Sequence, residues 1–286
     1  MSETGWRWSG VITEPVGLYC EVAAHTDQGL ARTRNEDAVV VGGASFLVAD
    51  GMGGYEAGDR ASHAVVTAFQ AQLPADRPAT LEQVQNALEH ARAGVAAVAA
   101  ETERGAGSTV SGMVLVTHED TLQWLLLNIG DSRVYQHVGS ELTQLTTDHS
   151  LWEEEHARRA PGDTAPMPAR NVITRAVGAA DSEPDTWLMP LTPGVRYLIC
   201  TDGLHGLVTD ERIRAVLTVA GRPESAAAEL IRSANEAGGK DNITVIVLDV
   251  LRVVEPAQTR SVFLDDPLPF DLAESVTATL QTGRHA

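Results

Sequence analysis

Lysine is almost absent from this chain: Lys240 is the only one, and the remaining Lys/Arg cations are all arginine. The formal net charge is −18 and no basic stripe is visible, which argues against a nucleic-acid surface because phosphates would be repelled. An acidic surface instead attracts Mg²⁺ or Mn²⁺ and favours basic partners. Cysteine is scarce too. Cys20 and Cys200 both lie in apolar, strand-like runs, so two buried free thiols are expected. A catalytic thiol would want a cationic pocket, whereas Thr201-Asp202 follows Cys200. No apolar run approaches membrane-spanning length, and no basic-then-apolar signal segment opens the sequence. A cytoplasmic protein without membrane contact is therefore expected. A hydrophobic fraction of 43% over 286 residues is ample for a core of one large domain or two small ones.

Strand-like runs are predicted at 18–25, 37–41 and 45–49, and the stretch 56–73 has helical spacing, with Ala61, Ala64, Val65, Ala68 and Phe69 on one face. Thr80 and Gln83 make a capping box for a second helix that reaches about Glu103. The runs 108–117 and 121–129 flank His118-Glu119-Asp120 as a hairpin. Residues 146–170 are polar and irregular, with a short helix near Trp152, as suits a functional loop. A strand at 196–200, a helix over 209–218, a helix opened by Pro223 and closed by Gly238-Gly239, and a strand at 243–251 complete the core. Hairpin-linked strands and paired helices point to antiparallel sheets packed by helices, not to alternating α/β units. The domain expected at 18–251 is preceded by residues 1–17, a loose arm or an extra edge strand, and followed by a tail at 252–286. The tail's composition suits disorder, with Phe263-Leu264 and Phe270-x-Leu272 as anchors if it is instead a docking peptide.

Five acidic motifs stand beside these strands: Asn35-Glu36-Asp37, Asp50-Gly51-Met52-Gly53-Gly54, Gly130-Asp131-Ser132-Arg133, Thr201-Asp202-Gly203 and Asp241-Asn242. Each alone reads as a turn. Together, if their acids meet at one rim, they would repel by several kcal/mol unless cations intervene. Hard divalent ions prefer such oxygen ligands, and two ions bridged by a carboxylate would sit roughly 3.5–4 Å apart and could share an acidified water. The Gly51 carbonyl can approach an ion held by Asp50 because no side chain intervenes. Arg32 lies four residues before Glu36, and a guanidinium beside a metal pair grips a phosphoryl group. The glycine-rich segment after Asp50 lacks the spacing and the lysine of a nucleotide loop.

The order and content of these motifs resemble the metal-dependent serine/threonine protein phosphatases, the PPM or protein phosphatase 2C family in its bacterial form. The likeness covers about residues 18–250. It is carried also by Thr26-Asp27-x-Gly29-x-x-Arg32, Gly107-Ser108-Thr109, Asp148-His149-Ser150 and Arg170-Asn171-Val172-Ile173-Thr174-Arg175. The resemblance implies an α+β, four-layer α-β-β-α sandwich of two antiparallel sheets flanked by helices. It implies two Mn²⁺ or Mg²⁺ ions bridged by Asp50, with Asp202 and Asp241 on the first ion. The Gly51 carbonyl and Glu36 would serve the second, and Asp37 would support them. Asp131, with Asp202, would hold a weaker third ion, and Arg32 would clamp the phosphate. The 148–170 segment looks like the flap of that family.

The activity implied is hydrolysis of phosphoserine and phosphothreonine by a metal-bridged hydroxide, in a monomer acting on phosphoproteins and opposing a Ser/Thr kinase. Two departures stand out. Met52 occupies the position where many eukaryotic members carry a histidine, the proposed general acid, and the flap reads Met167-Pro168-Ala169-Arg170 where a His-Pro pair is common. Among the histidines His149 is the one to watch, with a structural bond favoured over an acid role. A catalytically silent binding module and a metal-dependent nuclease are the competing classes, the second disfavoured by charge.

Overall fold

Apolar residues repeating every second position, with both strand faces apolar in the longest runs, build two stacked sheets. The computed structural model describes residues 6–12 (backbone only), 18–43, 45–53, 57–160 and 163–253. The first half of the chain runs β1 (Trp6–Ile12), β2 (Leu18–Asp27), β3 (Asp37–Gly42), β4 (Ser45–Gly53), α1 (Ala57–Gln72), α2 (Leu81–Ala100) and β5 (Ala106–Ser108). There follow β6 (Val110–His118), β7 (Thr121–Ile129), β8 (Arg133–Val138), β9 (Glu141–Gln144) and α3 (Leu151–Arg158). Last come β10 (Asp185–Pro190), β11 (Arg196–Cys200), α4 (Asp202–His205), α5 (Asp210–Val219), α6 (Pro223–Glu236) and β12 (Ile243–Val253).

One sheet has the order β1-β2-β12-β11-β8-β9 and the other β10-β7-β6-β4-β3, with β5 beside β4; every pairing is antiparallel. Side chains alternate between layers. In β7, Trp124 and Leu126 face the other sheet, while Leu125, Leu127 and Ile129 pack with α1 and α2. In β12, Ile246 and Leu248 face inward, while Val245 and Val247 pack with α5 and α6. That division explains the unbroken apolar runs, since both faces of these strands are covered. The fold is thus the expected four-layer α-β-β-α sandwich. Across the middle, Trp124 meets Phe46 and Tyr197 edge-on, at centroid distances of 5.9 and 6.4 Å.

The Thr80 capping box is formed, and Pro223 stands in the first turn of α6. Both cysteines are free and buried; burial pushes the Cys20 thiol up to about 12 and Cys200 up as well, so both are inert. The sequence reading ended β4 at 49, whereas the strand continues through Asp50 to Gly53 because β5 pairs with Gly51–Gly53. It passed over β8, β9 and β10. Of the alternatives for 1–17, residues 6–12 form an edge strand on β2; residues 1–5 and 13–17, Gly54 and the tail from 254 onward lie outside the described residues.

Candidate active site

Strand register does much of the work at the acidic rim. Asp37 and Asp50 are direct partners across β3 and β4. Thr109 fixes the Asp50 backbone from both sides: its hydroxyl accepts from Asp50 N at 2.9 Å, and its N–H donates to Asp50 O at 2.9 Å. From the other sheet, β11 delivers Asp202 at the start of α4, and its antiparallel neighbour β12 begins just after Asp241. Thr201 joins the two sheets here, donating its hydroxyl to Asp37 Oδ2 at 2.8 Å while accepting from Thr244 N at 3.1 Å. Asp131 lies where the chain crosses from β7 to β8, and so from one sheet to the other.

The segment 28–36 is pinned to this rim by Asn242. Its amide donates to Gln28 O and Arg34 O, at 2.9 and 2.8 Å, and its carbonyl accepts from Glu36 N at 2.9 Å. Arg32 is thereby placed so that its Nη2 donates to Asp241 Oδ2 at 2.6 Å, with the guanidinium still half exposed. All the acids predicted as ligands, Asp50, Asp131, Asp202, Asp241 and Glu36, therefore gather with Arg32, Asp37 and Gly51 at one end of the sandwich.

Their electrostatics are strained in one direction. Burial, then the charges of Asp37, Asp202, Asp131 and Asp241, push the Asp50 carboxyl well above the usual carboxylate range. Burial likewise raises Asp37 and Asp131 to about 7, and burial with Asp241 raises Asp202 to about 6. Asp202 also shares a hydrogen bond with Asp50. Glu36 is raised by burial, against the pull of Arg32. An acid whose folded-state pKa exceeds its unfolded value binds more protons when folded, so stability is lost as pH rises between the two values. For Asp131, a rise from 3.8 to about 7 is on the order of 4 kcal/mol. Denaturant titrations in the presence of a chelator should show stability falling between about pH 4 and pH 7, and Mn²⁺ should restore most of it above pH 7. A chelated protein equally stable at both ends of that range would show that the acids do not oppose one another.

Two features test whether divalent ions suit these residues. Asp131 Oδ1 and Asp202 Oδ1 are buried and have no hydrogen-bond partner. The Gly51 carbonyl oxygen and Glu36 Oε1 each stand 2.8 Å from the point a Cβ on Gly58 would occupy, so the bare glycine leaves an oxygen-lined cradle at the start of α1. Both suit a hard cation. Among the described residues, no group of three or more His, Cys, Asp or Glu side chains is closed around a single point as it stands. Asp241 is turned to Arg32 and Asp50 to Asp202, so ligation by three acids at once calls for side-chain rotation.

The flap is tied to the rim by buried charge. Arg133 donates to Asp148 through Nε and Nη2, at 2.8 and 2.7 Å. His149 is structural: Nδ1 accepts from Gly130 N at 3.1 Å, which places the proton on Nε2, 3.2 Å from Asp185 Oδ2. Ser150 caps α3, and Arg170 lies over the Trp152 ring at 3.6 Å. The sequence reading missed His205 and Gly58. His205 Nε2–H donates to Asp131 O at 3.0 Å, and burial followed by Arg133 lowers its pKa to about 4, keeping it neutral. Its place three residues after Asp202 was the available signal; Gly58 gave none.

Known proteins place this geometry. The Protein phosphatase 2C family model matches residues 24–237. The chain belongs to the protein phosphatase 2C family. It is 37% identical over 245 residues to the serine/threonine protein phosphatase PstP of Mycobacterium tuberculosis, an alignment covering 82% of this chain and 46% of PstP. The chain thus spans about half the length of that relative. With the protein phosphatase PhpP of Streptococcus pneumoniae it shares 32% identity over 247 residues, covering 80% of this chain and 97% of PhpP. A crystal structure of the M. tuberculosis phosphatase PstP/Ppp superposes with a TM-score of 0.73 at 34% identity, covering 82% of this chain and 99% of that one. A second, of the PstP catalytic domain in complex with two manganese ions, gives 0.68 at 35% identity, covering 81% and 98%. The sandwich is therefore that of a protein phosphatase 2C member.

Proposed function

We propose that this chain is a metal-dependent phosphatase that removes phosphate from phosphoserine and phosphothreonine in proteins. The observation that carries it is the convergence of Asp50, Asp131, Asp202, Asp241 and Glu36 beside the half-exposed guanidinium of Arg32. The names of PstP and PhpP and the two manganese ions of the PstP catalytic domain support the same reading. Asp50 would bridge two Mn²⁺ or Mg²⁺ ions. Asp202 and Asp241 would complete the first site, and the Gly51 carbonyl and Glu36 the second. Asp131, with Asp202, would hold a third, weaker ion. Such ions neutralise phosphoryl charge and acidify a bound water.

The chain's own groups do the rest. Arg32 binds the phosphoryl oxygens through parallel N–H donors and orients the ester. Asp37 is buried and holds Thr201, and with it the turn that carries Asp202. His149 and His205 have committed their Nε2 protons to Asp185 and to Asp131 O, so neither supplies the proton for the leaving oxygen. Action as a monomer in the cytoplasm against the products of a Ser/Thr kinase belongs to the same proposal. Among the described residues no helix is long and apolar enough to cross a membrane.

The test is Mn²⁺-dependent release of phosphate from a phosphothreonine peptide. Turnover should disappear with a chelator, and Arg32→Ala should lower kcat/KM by about 10–100-fold, the worth of lost charge-assisted bonds. A protein that binds Mn²⁺ yet releases no phosphate from any phosphopeptide would be a silent binding module, and the proposal would fall.

A further inference from the structure

Away from the acidic rim, a cavity of about 230 Å³ opens between α2 and β10. Its walls are mainly apolar: Val84 and Leu88 from α2, Leu125 from β7, and Trp187 and Leu188 from β10. Trp187 and Leu188 remain only half buried although each packs on a core cluster. Among the described residues β10 pairs with β7 on one side and ends its sheet on the other, leaving one row of its N–H and C=O groups for a further strand. Solitary edges are ordinarily protected by a charge, a bulge or an internal proline. In β10 the charge and the proline stand only at the two ends, Asp185 and Pro190; Thr186–Met189 between them carries neither, and the register with β7 is unbroken.

The place where the described chain stops points to an occupant. β12 starts at the acidic rim with Ile243 and leaves at the opposite end, where Val253 pairs with Leu18. The groove begins at that same end: Ala79, just before α2, bridges Val116, and Pro190 pairs with Gln123, far along β6 and β7 from Val110 and Ile129. Residues 254–286 follow Val253, and among them is Leu268-Pro269-Phe270-Asp271-Leu272. Three large apolar side chains at every second position make one apolar face of a strand. Pro267 and Pro269 occupy the alternate positions, whose backbone groups point away from a partner in an added edge strand, so their missing N–H groups cost no ladder bond. Residues 254–267, fully extended, reach on the order of 45 Å. Stacked sheets are about 10 Å apart and neighbouring strands about 4.8 Å, so the segment can span the end of the sandwich.

We propose that residues 268–272 of this chain add to the free edge of β10, burying Leu268, Phe270 and Leu272 against α2. The docking surface is separate from the acidic rim, and the proposal stands whether or not the chain is a phosphatase. Its occupation bears on the flap, because Asp185, the first residue of β10, holds both His149 and Arg175.

Hydrogen–deuterium exchange of the full chain tests this, compared with a Leu268→Ser, Phe270→Ser, Leu272→Ser variant that leaves the sandwich untouched. The β10 amides should exchange at least about tenfold faster in the variant, with the same result in dilute and concentrated samples. Equal exchange in the two chains overturns the proposal. Protection that grows with protein concentration also overturns it, because the groove would then be filled by a second copy.

Discussion

Replacing Asp50 by asparagine is expected to abolish phosphopeptide turnover, lowering kcat/KM by about 10³-fold or more, roughly 4 kcal/mol of transition-state free energy. The same change should make the metal-free protein more stable at neutral pH. Asp50 is hemmed in by Asp37, Asp202, Asp131 and Asp241, whose charges oppose its ionisation on top of burial. An amide keeps the shape and removes one member of that repulsive group, so a gain of about 1–3 kcal/mol is expected. Single-turnover assays and denaturant titration on one preparation measure both quantities. An inactive Asp50→Asn protein that is also less stable would trace its inactivity to damaged folding, and the claim of a charge strained for function would be lost.

The second large effect concerns a residue with no functional side chain. Gly58→Ala places a methyl group 2.8 Å from the Gly51 carbonyl and from Glu36 Oε1. Glu36 can swing away, but the Gly51 carbonyl belongs to a strand paired on its far side with β5 and cannot follow. Alanine is a better helix former than glycine, so α1 itself should survive. What should be lost is the cradle: calorimetric titration with Mn²⁺ should register one ion fewer, and turnover should fall by about 10²-fold or more. An unchanged stoichiometry would remove Gly51 and Glu36 from the ligand set.

Much of this architecture was legible because the cues were local. Capping at Thr80 and proline at the start of α6 announced themselves, as did the long double-sided strands β6, β7 and β12. β9 and β10 were passed over because they are short, and β10 sits behind Asp181-Ser182-Glu183-Pro184, which reads as loop. β8 follows the Gly130-Asp131-Ser132-Arg133 turn so closely that the turn chemistry masked its alternation. β4 ran past its expected end because glycines usually stop a strand, and only pairing with distant β5 keeps Gly51–Gly53 extended. The acids could be named in sequence since each flanks a strand end. Gly58 offered no such signal, because it matters only through the room it leaves beside the Gly51 carbonyl and Glu36; His205 offered only its place three residues after Asp202, its bond being to the distant Asp131 O.

The two leaves of the sandwich meet at one end through acids and hydrogen bonds contributed by both. Asp50 and Asp37 belong to one leaf, Asp202 and Asp241 to the other, and Thr201 hydrogen-bonds across the seam. Cations seated among those acids would act as rivets, so loading the protein should stiffen the mouth of the sandwich far more than its opposite end. Chemistry and mechanical closure would then reside in the same few atoms, and any partner able to pry the leaves apart would silence the proposed activity without touching a phosphoprotein.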